Sequence, residues 1–168
     1  GLAGDAITTG SDNTYLGYSA GTVSTSANSN VAVGRSALAN NLNSDRNVAV
    51  GYFALGNMTS SASVDGYNVA VGHEAGLSVT TGIKNTLIGG GSGDALTEGS
   101  NNVAIGYRAL STETLHGRNV AIGQDALFAQ NAGANAFNVA IGFETGKSVT
   151  TGIKNTLMGG LAGDALTI

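Results

Sequence analysis

One five-residue phrase governs this chain. Asn, then Val or Thr, then a small or apolar residue, an aliphatic residue and Gly, recurs nine times. It begins at Asn13, Asn30, Asn47, Asn68, Asn85, Asn102, Asn119, Asn138 and Asn155. It closes at Gly17, Gly34, Gly51, Gly72, Gly89, Gly106, Gly123, Gly142 and Gly159. Successive starts are 17 residues apart, except for gaps of 21 after Asn47 and 19 after Asn119. A second phrase follows the glycine, usually two variable residues, Ala, then Leu or Gly, as in RSAL at 35–38, YRAL at 107–110 and HEAG at 73–76. Self-similarity at a fixed short period marks an array in which each repeat buries its apolar face only by stacking on its neighbours.

A longer order overlies the turns. SVTTGIKNTL occurs at 78–87 and again at 148–157, and GDALT at 93–97 returns at 163–167. The opening GLAGDAIT resembles GLAGDALT at 160–167, so the chain starts and ends at one phase of the repeat. We expect a single repetitive segment over 1–168, cut from a longer array.

The phrase reads as a short strand. In NVAVG the side chains alternate, with Val31 and Val33 on one side and Asn30 and Ala32 on the other. β-Branched residues suit a pleated surface, so the valines are expected to point inward. A helix would need apolar residues three and four apart, and 27 glycines would oppose it. Stacking like turns places the nine asparagines in a hydrogen-bonded structural ladder. The nine motif glycines then serve as structural corners that need a positive φ or a close backbone approach. The expected fold is all-β, a β-solenoid or β-roll of about nine rungs. One coil supplies only about three sizeable apolar residues, such as Val31, Val33 and Leu38, which is thin for an isolated solenoid. We therefore expect three chains pooled in an intertwined or side-by-side homotrimer, with a broad two-sided monomeric solenoid as the alternative.

NVAVG, NVAIG and the SAL or SAG that follows resemble the head repeats of trimeric autotransporter adhesins, which implies a left-handed parallel β-roll in a trimer. NTLIG, NVAIGYRAL and GDALT are more similar to the repeats of bacteriophage tail fibres and related virion appendages. The resemblance spans nearly all of 1–168. The autotransporter repeat is shorter, at about 14 residues, so the loops here are longer.

Composition excludes several chemistries. Without cysteine there are no disulfides and no thiolate metal sites. A net charge of −4 with 11% charged residues gives no basic stripe for nucleic acid. Apolar runs are too short for membrane insertion. His73-Glu74 has no second histidine at helical spacing, and it and His116 read as loop residues. Asp5, Asp94 and Asp164 recur in phase and read as turn caps in preference to calcium ligands. GGGSGDAL at 89–96 fails both the calcium-repeat and the phosphate-loop patterns. No nucleophile elbow occurs. Asn57-Met58-Thr59 is a glycosylation sequon without expected consequence. Tyr18, Tyr52, Tyr107 and Phe143 share the position after the motif glycine with Arg35, His73 and Gln124, which reads as an exposed, tolerant corner and not as a sugar-binding platform. Thr80-Thr81 and Thr150-Thr151 recur once per block, too sparsely for an ice-binding array.

The expectation is a non-enzymatic protein with no cofactor and no metal. It is read as a shaft segment of a phage tail fibre or similar virion appendage, located in the virion or at a cell surface, that spaces or presents host-receptor binding. Its expected partners are copies of itself and a host surface glycan or protein receptor. The alternatives are a bacterial trimeric surface adhesin and a self-assembling extracellular filament.

Overall fold

The computed structural model describes residues 1–60 and 63–167, and among these it is all-β with no helix. The strands are β1 (Thr14–Leu16), β2 (Val31–Val33), β3 (Ser44–Asp45), β4 (Val48–Val50), β5 (Val64–Asp65), β6 (Val69–Val71), β7 (Thr86–Ile88), β8 (Val103–Ile105), β9 (Val120–Ile122), β10 (Val139–Ile141) and β11 (Thr156–Met158). Nine of them form one parallel sheet in the order β1-β2-β4-β6-β7-β8-β9-β10-β11, while β3 and β5 pair separately. The nine strands delimit eight complete turns of a parallel β-solenoid with a period of about 17 residues. Register is unbroken across the longer loops: Val48 pairs with Val69 over the 21-residue gap, and Val120 with Val139 over the 19-residue gap. The extra residues are spent away from the sheet, and β5 lies in the longer of the two loops.

Each strand of the nine-stranded sheet is three residues long because left-handed corners bound it. The residue before the motif Asn has a φ of 49–64° in all nine repeats, from Asp12 to Lys154. The motif glycine that ends the strand has a φ between 115° and 140°. Two further left-handed residues follow, such as Ser36 (58°) and Leu38 (49°). Such conformations are costly for non-glycine residues and persist where the surroundings over-determine them. Here the corners carry their own ladder: the Ser36, Phe53 and Glu74 amides donate to Tyr18, Arg35 and Tyr52 carbonyls of the preceding turn at 2.8–3.0 Å. The corner backbone is thus satisfied as fully as the sheet.

Side-chain parity is the reverse of the sequence expectation. Ala32, Ala49, Ala70, Ala104, Ala121 and Ala140, at mid-strand, are fully buried, as are Asn30 and Asn47. The flanking valines and isoleucines lie on the outer face, Val71 and Ile88 being 36% and 37% exposed. The reason is space. The mid-strand side chain meets, across a narrow interior, the Leu of the second phrase, so the strand itself can contribute only a small residue.

The exceptions obey the same volume rule. Where the strand centre is large, the second phrase ends in glycine: Tyr15 with Gly21, Leu87 with Gly93, Leu157 with Gly163. Where it is alanine, the second phrase ends in leucine: Ala32 with Leu38, Ala49 with Leu55, Ala104 with Leu110, Ala121 with Leu127. Ala70 and Ala140 have glycine partners, and their turns are topped up by Leu87 and Leu157 from the next level. A Cβ at Gly76 would come within 2.7 Å of Leu87 Cδ1, and one at Gly146 within 2.8 Å of Leu157 Cδ1. Packing at constant volume accounts for the four-turn order above the 17-residue period.

The interior also holds polar groups that pin the loops. Glu113 is fully buried, and its carboxylate accepts the amides of Thr114, His116 and Ala132 at 3.1–3.3 Å. Gln130 donates to Thr150 O and accepts from Asn138 Nδ2.

Candidate functional site: an outer apolar face and a corner slot

The ladder asparagines and corner glycines are architectural. Asn30, Asn47, Asn68, Asn85, Asn102, Asn119 and Asn138 are fully buried. Each Oδ1 accepts the backbone amide of the next asparagine, at 2.8 Å for Asn47 N to Asn30 Oδ1 and 3.0 Å for Asn85 N to Asn68 Oδ1. The Nδ2 groups of Asn68, Asn85 and Asn138 donate to the loop carbonyls of Gly82, Gly99 and Gly152 at 2.7–2.9 Å. The column therefore runs chiefly from side chain to backbone, with weaker amide-to-amide contacts of 3.1–3.3 Å beside it. Asn119 accepts from Asn138 N like the others, but its Nδ2 has no partner among the described residues. Its loop is the one lengthened to 19 residues. Asn13 and Asn155, in the outermost turns, are half-buried.

The glycine column packs backbone on backbone. At Gly72 φ is 140°, and a Cβ would lie 2.6 Å from Gly89 O. Nothing larger fits there.

Two surfaces remain that architecture does not consume. The first is the outer face of the nine-stranded sheet. Its two columns run Thr14, Val31, Val48, Val69, Thr86, Val103, Val120, Val139, Thr156 and Leu16, Val33, Val50, Val71, Ile88, Ile105, Ile122, Ile141, Met158. Not one of these side chains is charged or an amide, although the chain carries seven basic and eleven acidic residues. A sheet face built for water carries polar side chains throughout. This one does not.

The second surface is the corner after the motif glycine. Its side chains stack turn upon turn: the Arg35 guanidinium lies over the rings of both Tyr18 (5.6 Å) and Tyr52 (5.8 Å), and Tyr52 stacks on His73 at 5.0 Å between centroids. At the next turn Gly90-Gly91 supplies no side chain. The stack resumes at Tyr107, leaving a cavity of about 450 Å³ lined by His73, Glu74, Gly90, Gly91, Asp94, Tyr107 and Arg108. Burial raises the Asp94 pKa above its ordinary value, and the neighbouring Glu74 charge adds to the effect. His73 Nδ1 is 3.7 Å from Glu74 Oε2. The slot was invisible to motif reading because it is made by an absence, two glycines in phase with bulky corners. The post-glycine column from Tyr18 to Phe143 is legible in the sequence, but it is defined by the side chains present and so passes over Gly90.

The remaining sequence candidates stay apart. His116 lies against buried Glu113, at 3.7 Å from Nδ1 to Oε1. Asp5 accepts the Thr22 hydroxyl at 2.9 Å, and Asn57 accepts from Asn40 at 3.2 Å. Among the described residues no three His, Cys, Asp or Glu side chains gather as a metal site, and no helix is long and apolar enough to cross a membrane. No family model, curated protein or solved structure matches the chain.

Proposed function

We propose that the chain is a structural shaft segment of a phage tail fibre or similar virion appendage, trimeric, which spaces or presents host-receptor binding. The observation that carries this reading is the uncharged outer face of the sheet. Two in-register columns, fifteen Val, Ile, Leu or Met side chains and three Thr, run its whole length, about 38 Å at about 4.8 Å per strand. A contiguous apolar surface of this kind marks a contact site. A second copy is the natural occupant, because only an identical array repeats its side chains at the same spacing along the same length. Three copies with these faces around one axis would give each chain the broad core that its narrow interior lacks. Near-identical turns favour length and stiffness over a unique reactive centre, which suits a shaft.

Immunogold electron microscopy with antibodies raised against the chain tests the assignment to a virion. Gold along tail appendages is the expected pattern. Gold confined to a bacterial envelope would instead support the surface-adhesin alternative.

A further inference from the structure

The geometry points to the slot at Gly90-Gly91 as a binding site for a guanidinium group, an arginine side chain presented by a partner protein, sandwiched between His73 and Tyr107 and paired with Glu74 and Asp94.

The molecule itself supplies the precedent. One turn's corner lies about 4.8 Å from the next, so rings two turns apart leave room for one planar group between them. Tyr18 and Tyr52 are two turns apart, and the Arg35 guanidinium occupies that position over both rings. His73 and Tyr107 are likewise two turns apart, and Gly90 leaves the equivalent position without a side chain. A Cβ at Gly90 would meet Tyr107 Cδ2 at 3.6 Å and His73 O at 3.9 Å, ordinary contact distances. The opening is therefore roomy enough for a side chain and bounded on both sides.

Stacking of arginine on rings is how this solenoid fills its outer columns. All four arginines, Arg35, Arg46, Arg108 and Arg118, lie over an aromatic ring of an adjacent turn, at 4.3–5.8 Å. A planar, weakly hydrated guanidinium is suited to this role as an ammonium is not.

Charge selects the same ligand. Glu74 and Asp94 line the slot, and Asp94 Oδ2 lies 3.5 Å from where a side chain at Gly91 would begin. Arg108 also lines it, and its guanidinium lies 5.9 Å from the Tyr107 ring centre, but it sits closer to the Phe128 ring, at 4.3 Å, and near Asp125, with Nε to Oδ1 at 3.7 Å. Asp125 offsets that charge, so two carboxylates remain for an incoming cation. A carboxylate and a guanidinium can pair through two parallel hydrogen bonds, which fixes orientation as well as charge.

The test is an NMR titration of the full chain with N-acetyl-arginine amide, followed at the Tyr107 and His73 rings, with N-acetyl-lysine amide as control. Saturable shifts with a millimolar Kd, and at least about fivefold weaker binding of the lysine analogue, are expected. Two variants separate the slot from a general surface effect. Gly90→Arg should fill it from within, abolish the titration and melt higher than Gly90→Ala; Glu74→Gln should weaken binding about tenfold with the fold intact. No saturable shift, equal binding of both analogues, or undiminished binding by Gly90→Arg would overturn the proposal. Because the oligomeric mass is read on the same sample, such a failure is distinguishable from failure of the shaft reading.

Discussion

Leu87 occupies the space that a side chain at Gly93 would need: a Cβ there would lie 2.8 Å from Leu87 Cδ2. In the following turn the pair is inverted, with Ala104 at mid-strand and Leu110 at the corner, where Leu110 takes a φ of 54° against 55° for Gly93. The two solutions fill one volume by opposite means. Leu87→Ala should therefore cost about 2–5 kcal/mol, and Gly93→Leu alone about 1–3 kcal/mol or more from overpacking. The double variant gives this turn its neighbour's strand centre and corner, with Leu96 Cδ1, 2.9 Å from a Cβ at Gly93, still standing where the neighbour has Glu113, and it should recover part of the summed loss in urea denaturation. Simple additivity would contradict the volume rule.

The asparagine column predicts a gradient from centre to end. Asn68 accepts from Asn85 N at 3.0 Å and donates to Gly82 O at 2.9 Å, both out of reach of water. Truncating it strands two buried backbone groups, each worth about 1–3 kcal/mol, so Asn68→Ala should lose about 2–5 kcal/mol. In this 168-residue chain Asn155 is half-buried and joins the column through its backbone amide, which a substitution leaves in place, so Asn155→Ala should cost less than about 1 kcal/mol. Thermal melting of the two variants side by side decides the matter; equal losses would count against the ladder.

At the corners two glycines separate steric from conformational cost. Gly72 has a φ of 140° and faces Gly89 O at 2.6 Å from its virtual Cβ, whereas Gly159 has a φ of 115° with nothing within 4 Å. Gly159→Ala should cost only backbone strain, about 1–3 kcal/mol. Gly72→Ala adds a backbone clash with the next turn, and its melting temperature should fall well below that of Gly159→Ala. Similar values for the two would show that close approach plays no part.

Asp94 carries a prediction in pH. Burial raises its pKa above the ordinary carboxylate value, so across that window the folded chain holds more proton than the unfolded chain. Stability then falls as pH rises through it. Asp94→Asn removes this dependence. Between about pH 3 and about pH 7 the stability of the wild type relative to Asp94→Asn should decline, as read by melting temperature. Parallel curves would contradict it.

Period, strand positions, the asparagine column and the glycine corners were all legible in the sequence, because a solenoid turns periodicity along the chain directly into neighbours in space. Parity was not legible. Val31-Ala32-Val33 alternates as any strand does, and size alone suggests that valine is the buried partner. The inward residue is small here because Leu38 crosses the interior and leaves room only for Ala32, a constraint between residues six apart that no single strand displays. The same inversion changes the meaning of the valines, from the core of one chain to a surface available to another. The slot escaped notice for a different reason, since the column that holds His73 and Tyr107 is recognised by its side chains and Gly90 between them has none.

The mass of the particle in solution decides whether the outer face of the sheet is shared between chains. Analytical ultracentrifugation of the 16.5 kDa chain at micromolar concentration should give a discrete species of three chains, about 50 kDa, held together by the Val and Ile columns. A charge placed at mid-face, Ile105→Lys, should shift that species toward the monomer. A wild-type chain that sediments as a 16.5 kDa monomer would contradict the claim that the outer face of the sheet is a shared core.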